Sequence, residues 1–212
     1  VVDRAQTVAS EPATPSGDDG LLEVLRDVVT TLEARGVAYV VMGGVGSTAL
    51  GRPRGTHDID LFVRPDSASA VLEALDVAGF ATEETDPRWL YKAYKGGVLV
   101  DVIFRSTGDI YLDDEMLRRA RVVDFGGWFA KVIAPEDLVV IKALAADEHV
   151  PQHWHDALGI IAGSELDWEY LTFRARRHGV RRVLSLLIYA QSNDLGVPGT
   201  PVRTLFEAVY DA

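Results

Sequence analysis

The sequence predicts an α+β fold, a small sheet followed by a helical bundle. Three observations carry that expectation. Short apolar or alternating runs bounded by glycine dominate the chain up to residue 133, interrupted by two helical stretches. Beyond that point the apolar residues recur mostly with helical spacing. Finally, 48% apolar and 25% charged side chains over 212 residues suit a globular chain that can bury a core without staples. The sequence has no cysteine, which excludes disulfides, thiolate metal sites and cysteine nucleophiles.

Residues 1–19 mix Ser, Thr, Pro, Gly and Asp without apolar periodicity and are expected to form a disordered leader. They lack the apolar run of a secretory signal. The longest uncharged stretch, Gly36–Gly51, falls short of the roughly 18 apolar residues of a membrane span. A cytoplasmic location is therefore expected.

Asp19 is a candidate N-cap for a helix over 21–34, with Leu22, Leu25, Val28, Val29 and Leu32 on one face and Gly36 ending it. Residues 38–42 form a short buried strand, broken by Gly43, Gly44 and Gly46, with a helical turn over 47–50. Residues 57–63 alternate: Ile59, Leu61 and Val63 lie on one face, Asp58, Asp60 and Phe62 on the other. A helix over 67–78 follows. Extended runs at 89–94 and 98–104 are joined by a hairpin turn at Gly96-Gly97. A short strand pair is expected around 122–124 and 128–132. Pro135 takes the first position of a helix reaching residue 147. Helices over 152–161, 168–177, 180–191 and 204–210 complete the chain. Residues 20–133 thus form a catalytic domain and 134–212 a helical region packed on it.

The formal charge of −11 argues against sequence-indifferent binding of a nucleic-acid backbone, which needs many Lys and Arg contacts. It leaves room for a local basic groove. Arg174, Arg176, Arg177, His178, Arg181 and Arg182 form the one concentrated basic cluster. It reads either as a solvated helix–turn–helix rim or as a landing strip for an anionic acceptor.

The informative stretch runs from Gly43 to Val63. A glycine-rich turn after a buried strand lets backbone amides approach phosphates. Asp58 and Asp60, two apart on a strand, point to one side and offer hard oxygen ligands of the kind Mg²⁺ prefers. Asp101 is the single charge in the apolar run VLVDVIF, a costly position without a partner. Each feature alone has a bland reading: a solvated strand face, a turn, a core ion pair. In this order and spacing they suggest a clamp for phosphoryl or nucleotidyl transfer.

Here the sequence resembles the DNA polymerase beta-like nucleotidyltransferase superfamily, whose signature is Gly43-Gly44, then Asp58-x-Asp60 on a strand, and a later acid, Asp101. The run Arg54, Thr56, Asp58, Asp60 and the helix Pro135-Glu136-Asp137-Leu138 with Lys142 and Asp156 look like the bacterial branch that includes AbiEii/MenT-type toxins. The resemblance spans residues 40–161. It implies a small mixed nucleotidyltransferase-type sheet and two Mg²⁺ ions (or Mn²⁺) on Asp58, Asp60 and Asp101, with Asp101 also the general base. It implies nucleotide contacts from Gly43, Gly44, Ser47, Arg54 and Lys142, with Lys142 next to Asp156. Ser47 reads equally as a helix N-cap, and Arg54 and Lys142 as surface ion pairs. The reaction implied moves an NMP from an NTP to a hydroxyl on a tRNA 3′ end, a small molecule such as an antibiotic, or a protein. The toxin branch further implies a cognate antitoxin. A non-catalytic binding module is the rival reading.

His153 and His155, i and i+2 on a helix, do not face each other, so a zinc site with Asp156 is not expected. Trp89, Trp128, Trp154 and Trp168 are scattered and read as core or rim packing.

Overall fold

A seven-stranded mixed sheet spans the first part of the chain, in the order β3-β4-β5-β2-β1-β7-β6. The computed structural model describes residues 17–53 and 55–210. Helix α1 (Gly17–Ala34), strand β1 (Tyr39–Met42), helix α2 (Gly43–Ala49) and strand β2 (Asp58–Val63) come first. A 3-10 turn at Pro65–Ser67 leads into helix α3 (Ala68–Val77) and strands β3 (Ala81–Asp86), β4 (Leu90–Lys95) and β5 (Val98–Ile103). Helix α4 (Asp114–Arg119) and strands β6 (Arg121–Asp124) and β7 (Phe129–Val132) follow. Helices α5 (Pro135–Ala145), α6 (Gln152–Gly163), α7 (Trp168–His178), α8 (Val180–Ser192) and α9 (Gly199–Tyr210) complete the fold. Among the described residues no helix is long and apolar enough to cross a membrane.

The centre of the sheet is its most apolar part. All four residues of β1 are buried, and on β2 Ile59, Leu61, Phe62 and Val63 are fully covered. Such runs suit strands buried on both faces. Strand β2 pairs antiparallel with β1 and parallel with β5. Helices α1 and α3 pack on each other and on this part of the sheet, burying Leu25, Val28, Leu32, Val71 and Leu75.

Four expectations need correction or qualification. The first helix begins at Gly17, so it takes in residues 17–19 of the expected leader; residues 1–16 lie outside the described residues. Helix α2 starts at Gly43 itself, not at Ser47. Strand β3 went unrecognised because ATEETD is polar and largely exposed, as befits a sheet edge. Helix α9 starts at Gly199, with Pro201 buried in its first turn where a missing amide hydrogen costs little.

The expected basic cluster also loses a member. Arg174 is buried, its Nε 2.8 Å from Asp137 Oδ1 on α5 and its Nη1 donating to Asp113 Oδ2 at 2.6 Å. The Tyr170 hydroxyl donates to the same Asp137 carboxylate at 2.9 Å. Burial pushes the Asp137 carboxyl up to about 6, against the pull of the Arg174 charge and the Tyr170 hydrogen bond. Nearby, Glu136 accepts from the Asp167 amide at 2.7 Å, and Asp167 caps α7 by accepting from the Tyr170 amide. This polar network fastens α7 to α5. Arg174→Met should leave Asp137 buried without its cation, at a cost of about 3 kcal/mol or more. Thermal unfolding should show a midpoint lower by roughly 6 °C or more. The double variant with Asp137→Asn should recover much of the loss, whereas two equal and additive losses would mean the pair is not coupled.

Candidate active site

Strand register brings the acids together. Asp60 on β2 lies directly opposite Asp101 on β5, and Asp58 lies opposite Leu99. Directly paired residues share a face, and neighbouring strands are about 4.8 Å apart, so the two carboxylates are forced into proximity. Asp58, two residues before Asp60, points the same way.

The residues around them answer that crowding. Gly43 follows Met42, which pairs with Asp60, and adopts a φ of +62°. A Cβ on Gly43 would stand 1.6 Å from Asp60 Oδ2, so only glycine leaves space for this carboxylate. The Gly44 amide donates to Asp60. Even so, burial first, and then the charges of Asp58 and Asp101, push the Asp60 carboxyl up to about 6, opposed by Lys142 and the Gly44 amide. The Thr56 hydroxyl donates to Asp58 Oδ1 at 2.6 Å. Lys92, across from Asp101 on β4, donates to Asp101 Oδ1 at 2.8 Å. Burial draws the Lys92 ammonium down, but Asp101 outweighs it and holds the pKa above its ordinary value.

Lys142 reaches in from α5. It is almost fully buried, donates to Asp156 Oδ2 at 3.0 Å and lies 3.4 Å from His153 Nδ1. The pairing of Lys142 with Asp156 is therefore present. A cleft of about 630 Å³ is lined by Gly43, Gly44, Thr56, Asp58, Asp60, Lys142 and His153, with the half-exposed Trp89 also lining it. Trp89 is thus a residue of the cleft. His155 borders a different pocket, beside Trp154 and Arg182. A larger groove of about 1000 Å³ between α7 and α9 shares no residue with the cleft. Volume alone does not make it the site of chemistry, since it has no carboxylate pair.

One expected contact changes. Ser47 is fully buried in the interior of α2, and its hydroxyl donates to the Gly43 carbonyl at 2.7 Å. It is neither an N-cap nor exposed to a nucleotide. Arg54 lies outside the described residues. Among the described residues, no three His, Asp or Glu side chains converge tightly enough to hold a metal ion as they stand. Asp101 is engaged by Lys92 and Asp58 by Thr56. Lys92 and Thr56 are the site residues that sequence reasoning passed over as functional groups in their own right.

Residues 21–169 match a protein family described as nucleotidyl transferase of unknown function. The chain belongs to this nucleotidyltransferase family. Solved structures agree on the fold. The antibiotic-resistance factor ANT(2″)-Ia in solution is 16% identical, with a TM-score of 0.56 over 84% of this chain and 94% of that one. Its crystal structure with adenylyl-2″-tobramycin gives 16% identity and 0.54, over 82% and 98%. An antigenic nucleotidyltransferase-like protein from Paracoccidioides brasiliensis gives 15% and 0.52, over 92% and 99%. No curated protein matches the chain in sequence. As a nucleotidyltransferase the protein is an enzyme, which removes the reading as a purely non-catalytic module.

Two outcomes follow from this geometry. Gly43→Ala should cost about 2 kcal/mol in backbone strain alone, lower the melting midpoint by roughly 5 °C or more, and abolish transfer because Asp60 is displaced. The pH dependence of the metal-free protein gives the second. Asp60 holds its proton more tightly in the folded chain than in the unfolded one, where a carboxyl titrates at 3.8. Stability is therefore lost as pH rises from about 4 through about 6, by up to about 3 kcal/mol, and stays lost above. Asp60→Asn should melt higher than the parent at about pH 7.5, with the gap narrowing below about pH 5. A lower melting point at every pH would instead make Asp60 a structural ion-pair member.

Proposed function

We propose that the enzyme transfers a nucleoside monophosphate from an NTP to a hydroxyl acceptor and releases pyrophosphate. Asp58, Asp60 and Asp101 would hold divalent cations, Mg²⁺ by preference and Mn²⁺ as a substitute. The observation that carries this reading is the direct pairing of Asp60 with Asp101 on adjacent parallel strands, beside a cleft that also bears Asp58. The donor set is all carboxylate oxygen, which suits a hard cation. Burial first, and then the charges of Asp58 and Asp101, raise the Asp60 carboxyl, and a bound cation would offset that repulsion. Cations held there would neutralise phosphate charge and lower the pKa of the acceptor hydroxyl.

The chain's own groups have separable tasks. Asp101 accepts the proton of the acceptor hydroxyl on its carboxylate. Lys142, fixed by Asp156, faces the nucleotide phosphates with a desolvated positive charge that strengthens as negative charge develops. Gly43 and Gly44 expose bare backbone to the cleft beside Asp60, so that a triphosphate can approach closely.

For the acceptor we favour a hydroxyl on a small molecule. A net charge of −11 attracts a cationic acceptor. The likeness to ANT(2″)-Ia, whose complex contains adenylyl-2″-tobramycin, extends over most of both chains. Burial of Arg174 also weakens the proposed landing strip for RNA. An RNA acceptor such as a tRNA 3′ end, with a cognate antitoxin as partner, is the second reading. It is supported by Arg176, Arg177, Arg181 and Arg182, which remain exposed.

The direct test incubates the protein with each α-labelled NTP and Mg²⁺, against total RNA and against a panel of aminoglycosides and lincosamides. Absence of label transfer and pyrophosphate release under every condition would overturn the reading. An NTP at about 100 times its dissociation constant should add roughly 2.7 kcal/mol of stability with Mg²⁺. The gain should be much smaller in EDTA. Reversing charge at Arg177 and Arg181 should leave NTP affinity and small-molecule transfer nearly intact. If RNA is the acceptor, the same variant should bind it more weakly, with a log–log salt slope flatter by about 0.7 per lost contact.

A further inference from the structure

The registers of β3, β4, β5 and β2 set one row of charges across the sheet: Glu83, Lys92, Asp101 and Asp60. Paired side chains share a face, with opposite Cβ atoms about 5 Å apart. The row therefore runs minus, plus, minus, minus on the side of the cleft. Lys92 stands between two carboxylates. It bonds Asp101 at 2.8 Å, both groups being about four-fifths covered, while Glu83 on its other side lies exposed on the edge strand. A lysine carries a compact charge on a flexible four-carbon stem, so one stem can serve either neighbour without moving the backbone.

We propose that Lys92 is an internal counter-ion that holds Asp101 in the nucleotide-free enzyme and passes to Glu83 when a divalent cation takes that carboxylate. The inference rests on the metal-binding reading above and adds an order of events to it. While Lys92 neutralises Asp101, the site offers a cation less charge than three carboxylates would. The nucleotide's own phosphates shift the balance, and Lys92 then moves outward to Glu83. Asp101 becomes available to the acceptor hydroxyl only at that stage. Lys92 is thus a positioning residue acting through Asp101, and Glu83 is its receiving site.

The test measures Mn²⁺ bound to the full chain without nucleotide, reading free Mn²⁺ by electron paramagnetic resonance. Lys92→Met should bind Mn²⁺ roughly tenfold more tightly, since one unit charge next to a ligand carboxylate is gone. Glu83→Gln should bind it about two- to threefold more weakly, because Lys92 has nowhere to go. In the Lys92→Met background Glu83→Gln should have no further effect, the lysine it receives being absent. An Mn²⁺ affinity unchanged or weakened in Lys92→Met would overturn the inference. So would an equal effect of Glu83→Gln in both backgrounds, which would make Glu83 a simple distant charge. If Lys92→Met does not fold, Lys92→Gln takes its place in both comparisons, and an unchanged affinity in Glu83→Gln overturns the proposal by itself. Mn²⁺ bound by the parent but indifferent to both changes removes only this inference. No Mn²⁺ bound by the parent, with or without NTP, removes the metal-binding reading and this inference together.

Discussion

Two like charges held side by side govern the middle of this molecule. Strands β2 and β5 run parallel and in register, so Asp60 and Asp101 cannot avoid each other. The surrounding groups respond to that constraint. Gly43 gives up a side chain to leave room for Asp60, the Gly44 amide points at it, Lys92 neutralises Asp101, and Lys142 adds positive charge from a third element. The glycine pair thus serves the carboxylate first. A sequence reading assigns the same glycines to phosphate, because their spacing says that something approaches the backbone but not what.

Helix α5 links this centre to the C-terminal helices. Nearly all of its residues are buried, the pattern of a helix surrounded on every side. Lys142 projects from it towards the cleft, while Glu136 and Asp137 project towards α7. Buried ion pairs of this kind give little net stability relative to apolar packing, yet each partner becomes indispensable once the other is present. One helix thus carries both the α7 network and the lysine of the cleft.

Much of the arrangement was legible in the sequence, for a simple physical reason. A charge within an apolar strand is conspicuous, and Asp58, Asp60 and Asp101 all stand in such runs. Short apolar or alternating runs recover β1, β2 and β5, and the pairing of Lys142 with Asp156 comes from the family resemblance. What escaped was set by context at a distance. Strand β3 has no apolar face to show, and the start of α2 is masked by glycine, the poorest helix former after proline. Lys92 sits in LYKAYK, which reads as an ordinary exposed edge, and its importance comes only from strand register. Arg174 was grouped with its arginine neighbours, although its partners Asp137 and Asp113 lie far away along the chain. Local charge clustering carries no information about burial.

The parallel pairing of β2 with β5 also bears on how the molecule comes into being. Some forty residues of chain separate Asp60 from Asp101, and α3, β3 and β4 must be laid down between them before the strands can meet. Pairings of such long range form slowly, because the loop has to close before the contact rewards it. Until β5 arrives, β2 presents an open apolar edge, the kind of template on which other chains add strands. The contact that brings the two carboxylates together is thus also the one that closes the β2 edge.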